Sequence, residues 1–556
     1  SARGPVEASS AGSRVPAPAP AARAGSMAPV ASARGGTRAL WFRNDLRLDD
    51  NPALQAAING AVGVLPVYAF DPNKFNTPTL AGARKSSARR ARFLIESVAC
   101  LRKRLEAKGS GLAIVLGRPD EVLPELLAGM EGVWCQEGFC SEEQREEVKL
   151  AKHCKGCQLH KVWGGTLYLP GELGCNPDDT PLLFTSFKNK AESRGRIQNP
   201  LPAPKQMPPL PEMKNADALK YMPTLQDLGY PEDEAKEAQE NDPRSVLPFE
   251  GGEDAALQRL QKWMFEDDKL KDYFDIRNGM LGDGYSSKLS PWLALGCISP
   301  RRIWKEAQRY ESERVKNKST YWLIFELEWR DFFVYMARSQ GDKIFVPGGV
   351  TGDKTLWTKD LAGLQRWKDG KTGDQLVDAN MRELKATGFM SNRGRQNVAS
   401  YLIFDLGVDW RYGGAHFEEY LLDYDPASNW GNWVAAAGLT GQRVNRFNTK
   451  KQLNDYDPQR AYVRHWLGQA AGTGGGGGGG SAAGAGRQSD KGAGKGDAKG
   501  GSKSGGKGGG GKGGYSGAGG GYSGKGRMGE GSKVESAERK QSRWRKMDMP
   551  PQAMGS

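Results

Sequence analysis

Four short stretches of this sequence carry residues whose types and spacing could do chemistry. Residues 423–433 read DYDPASNWGNW, where two aspartates, two amides and two tryptophans three residues apart stand among turn formers. Rings of that size are out of place in a turn that faces water. Residues 389–397, FMSNRGRQN, set two arginines beside asparagines in helical text crowded with apolar residues. Charges so placed are costly to bury unless they pair with each other or hold a ligand. An Arg–Asp pair lining a pocket for a flat polar cofactor is one reading, and a structural salt bridge is the other. In GYSSKLSPWLALGCISP, residues 284–300, Ser286, Ser287, Lys288 and Ser290 precede Pro291 and an apolar helix. Hydroxyls and backbone amides at a helix start bind phosphate, and they also serve as simple N-caps. HCKGCQLH, residues 153–160, holds zinc-ligand types, but His153 abuts Cys154 and only two residues separate Cys157 from His160. That is too tight for the common finger spacings, so no metal site is expected.

Groups like these need rigid elements to hold them. Up to about residue 163, short apolar runs alternate with helical patterns. RALWF reads as a strand, and DDNPALQAAI as a helix with acidic capping residues and Pro52 in its first turn. GVLPVYAF, GLAIVLG, GVWCQE and CQLHKVW read as further strands, separated by helices at residues 86–106, PDEVLPELLAGM and SEEQREEVKLAKH. Strand and helix in alternation imply a parallel, doubly wound sheet. It lacks GxGxxG and GxxxxGK[ST], so it advertises neither a dinucleotide nor a triphosphate in the usual way. Residues 171–250 turn Pro-rich, as in NPLPAPKQMPPLPEM, and read as a connector. Beyond them the chain is helical in pattern to about residue 470. In YWLIFELEWRDFFVYMAR, Trp322, Phe325, Trp329, Phe332, Phe333 and Met336 recur at helical spacing, giving one strongly aromatic face.

The two ends of the 556-residue chain do not read as foldable. Residues 1–37 are rich in Ala, Ser, Pro and Gly, and through Arg38 five arginines stand against the single acid Glu7. This is the bias of a chloroplast or mitochondrial transit peptide, or of a merely disordered arm. Residues 471–556, with runs such as GTGGGGGGGS, cannot bury enough apolar surface to offset chain entropy, so a disordered tail is expected. The tail holds 15 Lys and Arg against 6 Asp and Glu; with the arm's +4, only +1 of the chain's +14 remains for everything between. Any pull on nucleic acid, RNA included, must come from the tail or from a local patch. Tyr515, Tyr522 and Trp544 among the tail's cations are compatible with base stacking, and a solubilising extension fits equally. Seven cysteines, an odd count without framework spacing, fit a reducing compartment. No apolar run approaches the roughly 18 residues of a membrane span.

Taken in order, LWFRNDLRLDDNPAL, GYSSKLSPWLALGCISPR, ELEWRDFF, WKDGKTGDQLVDANMRELKATGFMSNRGRQNVASYL and DYDPASNWGNWV resemble the photolyase and cryptochrome superfamily from about residue 38 to 470. RNGMLGDGYSSKLSPWLALGC and SNWGNW are most similar to its cryptochrome DASH branch. The resemblance implies a Rossmann-like α/β domain at residues 38–170, a connector at 171–250 and an all-α FAD-binding domain at 251–470. By position within the motifs, Tyr273, Ser286, Ser287, Lys288, Leu289 and Ser290 would hold the pyrophosphate and ribityl chain. Asn392, Arg395, Asp423, Asp425 and Asn429 would surround the rest of the flavin, with Arg395 and Asp423 as an ion pair against the ring system. Asn429 would face the ring nitrogen that changes protonation upon reduction. A neutral amide there favours the reduced flavin, whereas plant signalling cryptochromes usually carry Asp, so Asn429 leans toward repair chemistry.

Three tryptophans match the family's electron relay: Trp433 nearest the flavin, then Trp410, then Trp357, with Trp367 as the competing candidate. Trp430 is expected to pack beside the flavin site. Arg277, Glu326, Trp329 and Arg393 match substrate positions, Trp329 as the ring that stacks on a flipped thymine dimer and Glu326 as the acid that hydrogen-bonds it. The second aromatic wall, expected two residues after Trp433, is Ala435. Its loss weakens the hold on an extruded base, since stacking contributes about 1–3 kcal/mol per base. Extracting a base also costs least from a strand that is already single. The resemblance and this departure together imply light-driven repair of cyclobutane pyrimidine dimers in single-stranded or looped DNA. The (6-4) enzymes use histidines where Ser391 and Gln396 stand, which argues against that reaction. A folate antenna, 5,10-methenyltetrahydrofolate, is implied in the α/β domain, with Glu137 as its binding acid. The competing readings are a non-catalytic blue-light receptor and a nucleic-acid binder dominated by its tail. A monomer is expected.

Overall fold

The computed structural model describes residues 35–468, apart from residues 155, 356 and 359. The arm and the Gly-rich tail expected from the sequence lie outside the described residues. Strands β1 (Thr37–Trp41), β2 (Gly63–Phe70), β3 (Ala113–Leu116), β4 (Gly132–Gln136) and β5 (Gln158–Val162) pair in the order β3-β2-β1-β4-β5, all parallel. Between them run α1 (Pro52–Ile58), α2 (Ala88–Glu106), α3 (Pro119–Leu126) and α4 (Ser141–His153). Side chains alternate across a sheet with period two. Ala39, Trp41, Leu65, Val67, Val133 and Cys135 accordingly pack with Leu123 of α3 and Leu150 of α4. Leu40, Val64 and Trp134 belong to the other core, with Ala53 and Leu54 of α1 and Phe93 and Leu101 of α2. Helices therefore cover both faces, which is the doubly wound arrangement. Strand order reverses at β1, so a crevice opens beyond the carboxyl ends of β1 and β4, where such folds bind ligands.

The Pro-rich stretch contains more than a connector. It forms α5 (Phe184–Arg194) and α6 (Glu232–Gln239), and α5 buries Phe184, Phe187 and Ala191. The helical part follows: α7 (Glu253–Gln261), α8 (Tyr273–Ile276), α9 (Ser290–Ala294), α10 (Pro300–Glu313), α11 (Lys318–Gln340), α12 (Leu361–Lys368), α13 (Gln375–Thr387), α14 (Asn392–Ser400), α15 (Trp410–Tyr420), α16 (Pro426–Ala436), α17 (Thr449–Tyr456) and α18 (Ala461–Leu467).

Helix α11 departs from the one-sided pattern expected of it. It buries Trp322, Leu323 and every residue from Phe325 to Ala337, the mark of a helix enclosed on all sides. Its buried acids tie the two parts of the protein together. Asp331 accepts from the backbone N–H groups of Leu167 and Tyr168, each at 2.9 Å, and Glu328 accepts from the Tyr168 hydroxyl at 3.1 Å. Arg301 of α10 donates to Asp50 at 2.5 Å, and Glu253 of α7 accepts from the N–H groups of Leu48 and Asp49 at 2.9 and 3.1 Å. These bonds fix the β1–α1 loop and the segment after β5 against the helical part.

Candidate cofactor site

Two cavities in the helical part share Ser290, Leu293 and Arg395 as walls. One is bounded further by Tyr273, Ser286, Ser287, Lys288, Leu289 and Asn392, the other by Asp423, Asp425, Asn429 and Trp433. The structure thus brings all the residues expected to hold FAD to two neighbouring cavities with common walls. Local capping explains the arrangement. Ser391 caps α14 by accepting from the Gly394 N–H at 3.1 Å, which sets Asn392 and Arg395 on the first turn and a half. Asp425 caps α16 by accepting from the Ser428 N–H at 2.7 Å, which aims the first turn and Asn429 at the same space.

The charges in this space are incomplete without a ligand. Arg395 and Asp423 pair at 2.7 Å with both side chains buried, and Arg395 Nε also donates to the Met390 carbonyl at 2.9 Å. Among the described residues, Asp423 Oδ1 is buried without a hydrogen-bond partner, as is the Tyr285 hydroxyl on the Lys288 side. Lys288 is 3 % exposed and makes no ion pair among the described residues. Its Nζ lies 3.2 Å from the Tyr285 ring centroid and 3.5 Å from Ser286 Oγ. Burial, and then the neighbouring Arg259, push its pKa well below the lysine range. Its backbone is left-handed at φ 55°, a strained conformation for a side chain with a Cβ. Burial disfavours the charged form of this lysine, and an anion such as a diphosphate among the same hydroxyls would restore it. Asn429 Nδ2 donates to the Gly414 carbonyl at 3.1 Å, which leaves Oδ1 as the acceptor. An anion at one end, a flat polar ring at the other and an amide acceptor beside it fit FAD.

The tryptophans divide into two contacts. Trp433 meets Trp367 edge to face at 6.4 Å and Phe417 at 5.1 Å. Trp410 meets Trp430 at 6.0 Å and donates to the Pro347 carbonyl at 3.3 Å. Trp357 is half-buried against the main core with Nε1 unpartnered. Trp430 donates to the Tyr424 hydroxyl at 3.3 Å and walls a different cavity, described below.

Among the residues expected at the substrate, Arg277 and Glu326 line the Lys288 cavity and pair at 3.6 Å, with Trp322 donating to Glu326 at 2.9 Å. Burial raises the Glu326 carboxyl, against the opposing pull of Arg277. Arg393 donates to Gln396 at 2.9 Å and to Asn278 at 2.8 Å, and stands over the Tyr456 ring. Ala435 lines a recess with Gln396, Ser400, Asn432, Ala436, Asn445 and Phe447, and Asn432 is also a wall of the Asp423 cavity. Trp329 is packed at the contact of α5 and α11. Its ring lies flat on Phe184 at 3.6 Å and 11°, with Phe333 at 5.8 Å and 27°. The packing of α5 against α11 holds the ring there, and Trp329 is not among the walls of the recess.

The family model described as "FAD binding domain of DNA photolyase" matches residues 322–474, and the one described as "DNA photolyase" matches residues 38–208. Cryptochrome DASH, chloroplastic/mitochondrial, of Ostreococcus tauri is 45 % identical over 467 residues, covering 79 % of this chain and 85 % of that protein. The chain belongs to the photolyase/cryptochrome family. Cryptochrome DASH of Gloeobacter violaceus is also 45 % identical, over 439 residues, with 78 % and 86 % covered. Among solved structures, the Synechocystis sp. PCC6803 cryptochrome is 43 % identical with a TM-score of 0.74, covering 79 % of this chain and 90 % of that one. A bacterial class III photolyase from Agrobacterium tumefaciens is 28 % identical with a TM-score of 0.67, covering 79 % and 88 %. The fold and the FAD-binding character are those of this photolyase/cryptochrome family.

In this family member the crevice at the end of β1 opens into a cavity of about 260 Å³ between the sheet and the helical part. Arg43, Lys74, Lys85, Glu142, Glu143 and Trp430 are among its walls. Glu137, the acid expected to bind folate, lies in a smaller neighbouring pocket with Gln136, Phe139 and Arg330, which shares Arg43, Asn44 and Glu143 with the large cavity. Glu143, which reads from sequence as one acid in an exposed helix, is a wall of both pockets. Burial raises its carboxyl to about 7 against the pull of Lys74 and Arg43. In HCKGCQLH the two histidines go to different partners: His160 stacks on Trp134 at 4.2 Å and His153 turns back to the Lys149 carbonyl at 2.8 Å.

Proposed function

We propose that this protein is a blue-light flavoenzyme of the cryptochrome DASH type that repairs cyclobutane pyrimidine dimers, chiefly in single-stranded or looped DNA. FAD, when bound and reduced, supplies the light absorption and the electron that splits the dimer and is returned. The chain's own residues do the rest. Lys288 with Ser286, Ser287 and Ser290 holds the anionic end, and the Arg395–Asp423 pair fixes the ring. Asn429, a neutral amide already tied to Gly414, holds a proton-bearing ring nitrogen without adding negative charge. That amide beside the buried pair carries the reading toward repair. Trp433 is the first member of a tryptophan relay to the surface through Trp410 and Trp357. Arg277, Glu326 and Arg393 form the polar side of the substrate site, and Ala435 removes the second ring.

The supporting relatives are named cryptochrome DASH and photolyase, several of them chloroplastic/mitochondrial, and the Arg-containing N-terminus fits an organelle address. The large cavity at the switch point suits a folate antenna, with Glu143 joining Glu137 as a candidate acid. The test is loss of dimers from a thymine-dimer oligonucleotide, single-stranded, under blue light against darkness with the flavin photoreduced. Light-dependent dimer loss supports the reading, and none overturns it. The second reading, a non-catalytic photoreceptor, is favoured by one observation: the Trp329 faces are taken by Phe184 and Phe333.

A further inference from the structure

The recess beside Ala435 has one aromatic side chain among its described walls, Phe447. Opposite sides are built from short or polar groups: Ala435, Ala436, Ser400, Asn445, Asn432 and Gln396. Two of these connect the recess to sites already described. Asn432 is shared with the Asp423 cavity, and its Oδ1 is buried without a partner. Gln396 accepts from Arg393, one of the expected substrate arginines. The backbone of Phe447 is anchored independently of its ring, through its N–H to Ser400 Oγ at 2.9 Å. The ring itself is half-buried.

The segment around it is strongly cationic. Arg443, Arg446, Lys450 and Lys451 are all exposed and lie within nine residues. Arg446 pairs with Asp405 and Lys451 with Asp455, while Arg443 and Lys450 make no ion pair among the described residues. An aromatic ring set among cations at the mouth of a recess is the arrangement that binds single-stranded nucleic acid, stacking on the base while cations track the backbone. Position 435 and Phe447 are walls of the same recess, so a side chain larger than alanine at 435 would take up space in it.

We infer that Phe447 is the specificity-determining stacking wall of the substrate site, taking the face of an extruded pyrimidine in place of the ring that Ala435 lacks. The inference rests on the dimer-repair reading. A single half-buried ring at the rim offers less than two enclosing rings, so it selects strands whose bases are already unstacked, where extraction costs least.

The test measures Kd and KM for a dimer-containing single-stranded oligonucleotide with Phe447→Ala, Phe447→Leu and Phe447→Tyr, flavin content serving as the check on folding. Loss of one stacked base predicts a Kd raised about tenfold or more in the Ala and Leu variants, and near-parental binding by the Tyr variant. The Leu variant keeps apolar volume without a π face, so parental affinity in Leu assigns Phe447 to packing and overturns the inference while leaving repair intact. If Ala fails to fold, Leu against Tyr decides alone. A parent protein that neither binds nor repairs the dimer overturns the repair reading, and this inference with it.

Discussion

Arg395 and Asp423 hold opposite charges 2.7 Å apart with side chains only 6 % and 2 % exposed. Desolvation makes such a pair a weak source of net stability, but removing one partner leaves the other buried and unpaired. Asp423→Asn is expected to lower unfolding free energy by about 3–5 kcal/mol in urea titration, and to release FAD on gel filtration. At Asn429 the expectation concerns redox rather than stability. Asn429→Asp places negative charge beside the ring, so a smaller fraction of fully reduced flavin should accumulate under illumination with a thiol, read by absorbance. For the relay, Trp410→Phe should slow photoreduction severely while Trp367→Phe leaves it nearly unchanged. The opposite pattern would move the second relay step to Trp367, whose ring touches Trp433.

At the scale of elements, α13 and α18 meet through Glu383, which accepts from the Tyr462 hydroxyl at 2.6 Å. Burial raises the Glu383 carboxyl to about 8, with Tyr462, Lys288 and Arg395 pulling the other way. A folded-state pKa raised above the unfolded value means that this group's stabilising share is complete below about 4.5 and is lost as pH rises through about 8. Tm of the parent should therefore fall relative to Glu383→Gln between pH 6 and 9, and parallel curves would contradict it. Elements such as β2 and α4 were legible in the sequence because period-two and helical patterns are local, and both have the bounds their runs suggested. The enclosure of α11 was not legible, because its partners Tyr168 and Phe184 are distant in sequence. The burial of Trp329 follows from the same cause. Helix α5 carried a signal in Phe184, Phe187 and Ala191, spaced three and four apart, but the surrounding prolines pointed to a connector. For the site, motif order pointed to the residues that wall the cofactor cavities, whereas the desolvation of Glu143 and the place of Phe447 beside Ala435 depend on contacts that no local pattern announces.

Across the whole molecule, charge is placed at the ends. The tail's net +9 stands against +1 for residues 39–470. Cutting after residue 470 should weaken binding to undamaged single strands and flatten its dependence on salt, because fewer counterions are released. Repair at saturating oligonucleotide should persist, since the sites argued above all lie before the cut. The two cofactor cavities share Ser290, Leu293 and Arg395, and the Ala435 recess shares Asn432 with one of them. The most direct measurement compares initial rates of blue-light dimer loss in the same sequence presented as single strand and as intact duplex. The account predicts repair of the single strand that clearly outpaces the duplex; equal rates, or no light-dependent loss from either, would contradict it.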